Sequence, residues 1–165
     1  MSSAPDTAPT THQASVDINT QPGHAIRRLH QIAVGIFLQE TQAHGITPVQ
    51  YAALQVVHNQ PGIDQRTLAR TIAQDTSTTA GVVNRLELRG LLKRHTTPED
   101  RRVRQLHLTP EGEQLLQDLV PDMLRAQGQM LAPLSEQERP EFMRMLLRLI
   151  TENNALSRAP GEVDG

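Results

Sequence analysis

The chain of 165 residues contains no cysteine and no tryptophan, and only one tyrosine and two phenylalanines. The absence of cysteine excludes disulfides, thiolate metal sites and thiol-based redox sensing together. With so few aromatics, a core has to be assembled from Leu, Ile, Val, Ala and Met, which favours layers of helices packing aliphatic rows. No apolar run approaches the roughly 18 residues that a membrane span needs. The first residues also lack a basic segment followed by an apolar one, so the expected location is the cytoplasm. His-Glu-x-x-His, Gly-x-Ser-x-Gly and phosphate-loop patterns are all missing, and the expectation is a protein without catalysis.

Excess charge is also missing: the net value is −2. That balance conceals a division. Between Pro61 and Pro110 there are nine Arg or Lys against five Asp or Glu, a local +4, so the remainder carries −6. Charge of one sign gathered on a single segment points to an acidic partner for that segment.

Residues 1–22 are rich in Ser, Thr, Pro, Ala and Gln and have no apolar pattern. Such a stretch cannot bury enough surface to offset the entropy of ordering, and it reads as a disordered arm. The tail 156–165 reads as a flexible extension in the same way. Between them, residues 23–155 form one domain. A first helix over about 24–44 sets Ile26, Leu29, Ala33, Ile36 and Phe37 on one stripe and stops at Gly45. Thr47, Pro48 and Gln50 give a capping box and a first-turn proline for a second helix bearing Tyr51, Leu54 and Val57. Asp64 caps a short third helix through Leu68, Ala69 and Ile72, and a fourth runs from about Thr76 to Arg89 with Gly90 as its stop. Two short runs, Leu91 to His95 and Val103 to Leu108, flank the turn Thr-Pro-Glu-Asp and read as a β-hairpin.

Thr109-Pro110 opens a helix over about 110–131 with Leu115, Leu116, Leu119, Met123 and Leu124; Pro121 inside it predicts a kink or a break. Ser135 and Glu138 make another capping box ahead of a helix over about 135–153. Phe142, Met145, Leu146, Leu149 and Ile150 follow helical spacing there, while Pro140 predicts a loosened first turn. Met143 and Leu147 widen the apolar arc, and so broad an arc calls for two partners. The fold class is therefore mainly α with a small β-hairpin wing: a winged helix–turn–helix lobe over about 47–108, framed by three longer helices.

The fourth helix carries the chemistry. DTSTTAGVVNRLELRG begins with four hydroxyl residues, although one N-cap would suffice. At 100° per residue, Thr79, Val82, Val83 and Leu86 share a sector that must face a core. The opposite sector holds Ser77, Ala80, Gly81 and Asn84, with Thr78 and Arg85 at its flank. A helix entering a major groove needs small residues where its backbone nears the bases and short donors near the phosphates. Thr76, Ser77, Thr78, Asn84 and Arg85 supply the donors, and Ala80-Gly81 supplies the clearance. Two other classes stay open from the residues alone. One is a winged-helix module that docks an acidic protein. The other is a metal-responsive regulator using Glu40 and His44, which stand four apart on the first helix.

The stretch LARTIAQDTSTTAGVVNRLELRGLLKRHTTPEDRRVRQLHLTPEG, residues 68–112, resembles the signature of the MarR family of bacterial transcriptional regulators. The family's Asp-x-Arg stands at Asp100-Arg101-Arg102, and Leu-Thr-Pro-Glu-Gly opens the next helix at Leu108. The resemblance extends over residues 24–153. It implies an intertwined α-helical homodimer that binds double-stranded DNA at a palindromic operator, represses a catabolic or efflux operon, and is released by a small ligand. Residue by residue it implies that Asp100 braces the wing, Arg102 enters a minor groove, and Arg101 and Arg104 lie beside phosphates. Residues 27–54 are similar to the subset that controls aromatic-acid catabolism. That similarity implies no cofactor but a small organic effector, an aromatic acid or phenol, with Arg27, Arg28, His30 and Tyr51 as the candidate binding residues.

Overall fold

The computed structural model describes residues 16–96 and 104–157. Its elements run α1 (Pro22–Glu40), α2 (Pro48–Asn59), α3 (Gln65–Thr71), α4 (Thr76–Leu88), β1 (Leu92–Thr96), β2 (Arg104–Leu108), α5 (Pro110–Leu131) and α6 (Glu138–Asn153), with short 3-10 turns at Ile18–Thr20, Gln42–His44 and Asn154–Leu156. The last part of the stretch read as a disordered arm carries a turn: Asp17 accepts from the Asn19 amide and caps the 3-10 turn Ile18–Thr20.

Local chemistry accounts for most boundaries. The first helix is shorter than 24–44 suggests, because the Thr41 hydroxyl donates to the Phe37 carbonyl and the chain tightens into the 3-10 turn. Gly45 then closes it in the left-handed region at φ 57°. At α2 both halves of the capping box form, with Gln50 N–H donating to the Thr47 hydroxyl and Thr47 N–H donating to the Gln50 side chain. Residues 62–64 lie along the free edge of β2: Gly62 N–H donates to Leu106 O and Leu106 N–H donates to Ile63 O, each at 2.9 Å. The hairpin pairs antiparallel from Leu92 opposite Leu108 to Thr96 opposite Arg104. Its tip, including Asp100, Arg101 and Arg102, lies outside the described residues.

The core fills the winged lobe. Leu54, Val57, Leu68, Val82, Val83, Leu86, Leu92 and Leu106 are fully buried, joined by Phe37 from α1 and by Leu116 and Leu119 from α5. Pro121 does not divide α5; one helix spans Pro110–Leu131. Leu116 and Leu119 before it and Asp122 and Ala126 after it are all buried, so tertiary packing carries the helix across the missing hydrogen bond. At α6 the expected loosening is seen. Ser135 and Glu138 exchange their capping bonds and Arg139 N–H reaches Ser135 O, but regular helix begins only at Glu138. Pro140 explains the delay, since it has no N–H for the Glu136 carbonyl.

Helix α6 has no buried residue within one chain. Met143, Met145, Leu147, Leu149 and Ile150 are exposed, as are Ile26 and Ile32 on α1.

Candidate nucleic-acid interface and the adjoining cleft

Helix α4 divides along the sectors its spacing predicts. Thr79, Val82, Val83 and Leu86 are buried, whereas Thr76, Ser77, Thr78, Asn84 and Arg85 are exposed. Its N-cap is Asp75, which accepts from Thr78 N–H at 2.7 Å and from the Thr78 hydroxyl at 2.6 Å. These bonds, the hydroxyl's first, hold the Asp75 carboxyl below its ordinary range. The Thr79 hydroxyl donates to the Asp75 carbonyl and is buried. The four hydroxyls therefore do different things: Thr79 and Thr78 serve the cap, and Thr76 and Ser77 face outward. Ahead of α4, the turn places Ala73 at φ 51°, a conformation that a side chain rarely adopts and that sets the angle between α3 and α4.

Two arginines organise this face that residue spacing alone did not single out. Arg94 on β1 donates to Glu87 and Asn84 of α4 and, at 3.5 Å, to Gln65 of α3. The Asn84 carbonyl oxygen is thus engaged, and its amide N–H groups remain for another acceptor. Arg89, just past α4, donates at 2.9 Å to the carbonyls of both His44 and Gly45. The cross-strand register could have pointed to Arg94, because it shares a face with Leu92 and Leu106. Nothing local distinguishes Arg89. Arg85 folds toward Gly81, where an added Cβ would stand 3.4 Å from its Nη1, so the glycine makes room for the guanidinium. Arg104 is exposed at the start of β2.

The hairpin is joined closely to α5. The Thr109 hydroxyl donates to Gly90 O at 2.6 Å and accepts from Gly112 N–H at 3.0 Å, while Thr109 N–H donates to Leu91 O at 3.2 Å. A Cβ on Gly112 would lie 2.1 Å from Leu91 O. Only glycine permits this approach of α5 to the strand entry.

Between α1, α2 and α5 lies a cleft of about 190 Å³ lined by His30, Ala33, Val34, Phe37, Pro48, Ala126, Gln127 and Met130. Of the four candidate ligand residues the structure brings only His30 to it. Arg27 donates to Gln31 at 3.2 Å and Arg28 is exposed. Tyr51 packs against Phe37, ring centroids 5.9 Å apart, and partial burial pushes its phenol pKa up. Gln127 and Met130, on the α5 wall, were not anticipated, because helix periodicity identifies faces but not which helix lies opposite.

Glu40 and His44 do not meet as a chelating pair. Arg125 and Gln129 donate to Glu40, and His44 lies 3.3 Å from Asp122. Among the described residues no group of three or more His, Asp or Glu converges on a metal-sized site. Nor, among them, is any helix long and apolar enough to cross a membrane.

Residues 44–103 match the model of the MarR family. A putative transcriptional regulatory protein for the hcr operon of Thauera aromatica is 40% identical over 114 residues, 69% of each chain. Among solved structures, the PcaV transcriptional regulator from Streptomyces coelicolor, in complex with its natural ligand, is 36% identical with a TM-score of 0.75, covering 84% of this chain and 98% of that one. BpsR of Bordetella bronchiseptica, whose DNA binding is regulated by 6-hydroxynicotinic acid, is 29% identical with a TM-score of 0.77, covering 82% and 97%.

Proposed function

The chain belongs to the MarR family of DNA-binding, non-catalytic regulators, and we propose that it acts as a homodimeric repressor released from a palindromic operator by a small aromatic acid or phenol. The observation that carries the reading is the division of α4. Its inner sector is locked into the core, and its outer one offers small residues, hydroxyls, an amide and a guanidinium. In this reading Thr76 and Ser77 approach phosphates, and Asn84 and Arg85 reach base edges. On the wing, Asp100 braces the turn, Arg102 enters the minor groove, and Arg101 and Arg104 neutralise phosphates. The exposed apolar faces of α1 and α6 form the dimer seam, where each would find the partner it lacks within one chain.

The effector occupies the cleft between α1 and α5. Its wall is apolar, with Phe37 to stack on a ring and His30 to meet a carboxylate or phenol at the mouth. Regulation of the Bordetella protein's DNA binding by 6-hydroxynicotinic acid, an aromatic acid, supports this chemistry, and the Streptomyces relative in complex with its natural ligand supports a ligand-binding role. The target is a catabolic or efflux operon.

Titrating salt against binding to mixed-sequence duplexes tests the DNA half of the proposal. The logarithm of affinity should fall with the logarithm of salt by about 0.9 for each phosphate neutralised; a flat response would reject it in favour of a protein partner. For the effector half, 4-hydroxybenzoic acid carries both functional groups and serves as the probe. It should raise the melting temperature of the wild type, and less so of His30→Ala. Equal shifts in both proteins would remove His30 from the site.

A further inference from the structure

The corner where α1, α2, α4 and α5 meet holds a continuous set of polar contacts that the DNA-facing residues do not use. Arg89 donates at 2.9 Å to the carbonyls of His44 and Gly45, the residues that end the turn after α1. The His44 imidazole Nε2 lies 3.3 Å from Asp122 Oδ2 on α5. Asp122 Oδ1 accepts from Arg125, whose Nε donates at 2.8 Å to Glu40 on α1, and Gln129 donates to the other Glu40 oxygen. Both carboxylates are largely shielded, with side-chain exposures of 11% for Asp122 and 12% for Glu40. Every one of their four oxygens has a partner, so the arrangement is defined in geometry as well as in charge. One turn along the same two helices, Phe37 of α1 and Ala126 of α5 line the cleft.

Arg89 itself is exposed. If its guanidinium is removed, water can satisfy the two carbonyls, so folding stands to lose little. What is lost is the hydrogen-bonded tie from the end of α4 to the α1–α2 corner. We infer that Arg89 is a positioning residue for DNA recognition: it ties the end of α4 to the His44–Gly45 corner and, through the His44–Asp122 pair, to α5. The groove-facing side chains of α4 are thereby presented at one fixed angle to the dimerisation helices. This rests on the reading of α4 as the groove-facing helix.

A double-mutant cycle in DNA affinity tests it, using a duplex that the wild-type protein selects from a random pool. Arg89→Gln should weaken binding about tenfold while leaving the salt slope unchanged, and Arg89→Lys should recover part of the loss. Asp122→Asn, remote from the DNA-facing side chains, should also weaken binding, and the double variant should lose no more than the weaker single. Melting curves show that each variant remains folded at the assay temperature. A slope reduced by about 0.9 would make Arg89 a phosphate contact instead. Unchanged affinity in Arg89→Gln, or losses that simply add, would also overturn the inference. If the wild type selects no duplex, the reading of α4 falls first, and that failure is distinct from one in which only the variants behave unexpectedly.

Discussion

At the scale of single residues, the tightest point in the molecule is Gly112. A methyl group there would collide with a main-chain carbonyl that already accepts from Thr109 N–H, so no side-chain rotation can relieve it. Gly112→Ala should therefore cost about 1–3 kcal/mol or more, the range for overpacking a closed site. Denaturant unfolding measures this, and an unchanged midpoint would show that α5 can shift away from Leu91. Asp75 makes a prediction about acid. The Thr78 hydroxyl and amide depress its pKa below the ordinary 3.8. A carboxylate depressed on folding contributes fully above its unfolded value and loses that contribution as pH falls through the folded one. The cap of α4 should accordingly weaken below pH 3.8, and Asp75→Asn should show a flatter decline in melting temperature over that range than the wild type. Parallel declines would mean that other carboxylates dominate acid unfolding. Asp64 at α3 is lowered in the same direction, first by the Thr67 hydroxyl.

Among the elements, α5 shows where local rules and packing compete. Pro121 is exposed and leaves the Gln117 carbonyl without its helical donor, yet the buried residues on either side keep the helix in one piece. Pro121→Ala should then raise stability, by up to about 3 kcal/mol, since alanine restores the donor without disturbing the buried face. Lower stability would mean that the proline is needed for the path of α5. That the helix stays undivided was not legible, because sequence periodicity says nothing of how firmly the flanking turns are held. Where a boundary depends on neighbouring residues, the letters sufficed: the Thr47–Gln50 box, the delayed start of α6 at Pro140 and the two sectors of α4 are all visible in short spacings. The roles of Arg89 and Arg94 were not, because their partners lie 44 and 45, and 7, 10 and 29, positions away. Such contacts exist only once α4 has docked.

For the molecule as a whole, the single chain leaves an apolar helix face uncovered. If the proposed dimer forms through α6, Leu147→Asp should shift sedimentation toward monomer and abolish operator binding, whereas Leu88→Ser, at a still more exposed position on α4, should leave the dimer intact. A dimeric Leu147→Asp would place the seam elsewhere. The candidate ligand site was only partly legible at this scale: α1 announced His30 and Phe37, but the opposite wall came from α5, nearly a hundred residues away. The scarcity of aromatic side chains gives that cleft a further property. The sole tyrosine, Tyr51, stands against Phe37, which lines the cleft, and no tryptophan competes with it optically. Its ultraviolet emission is therefore a built-in gauge of cleft occupancy: an aromatic guest stacking on Phe37 should quench it, and binding can be followed in the unlabelled protein.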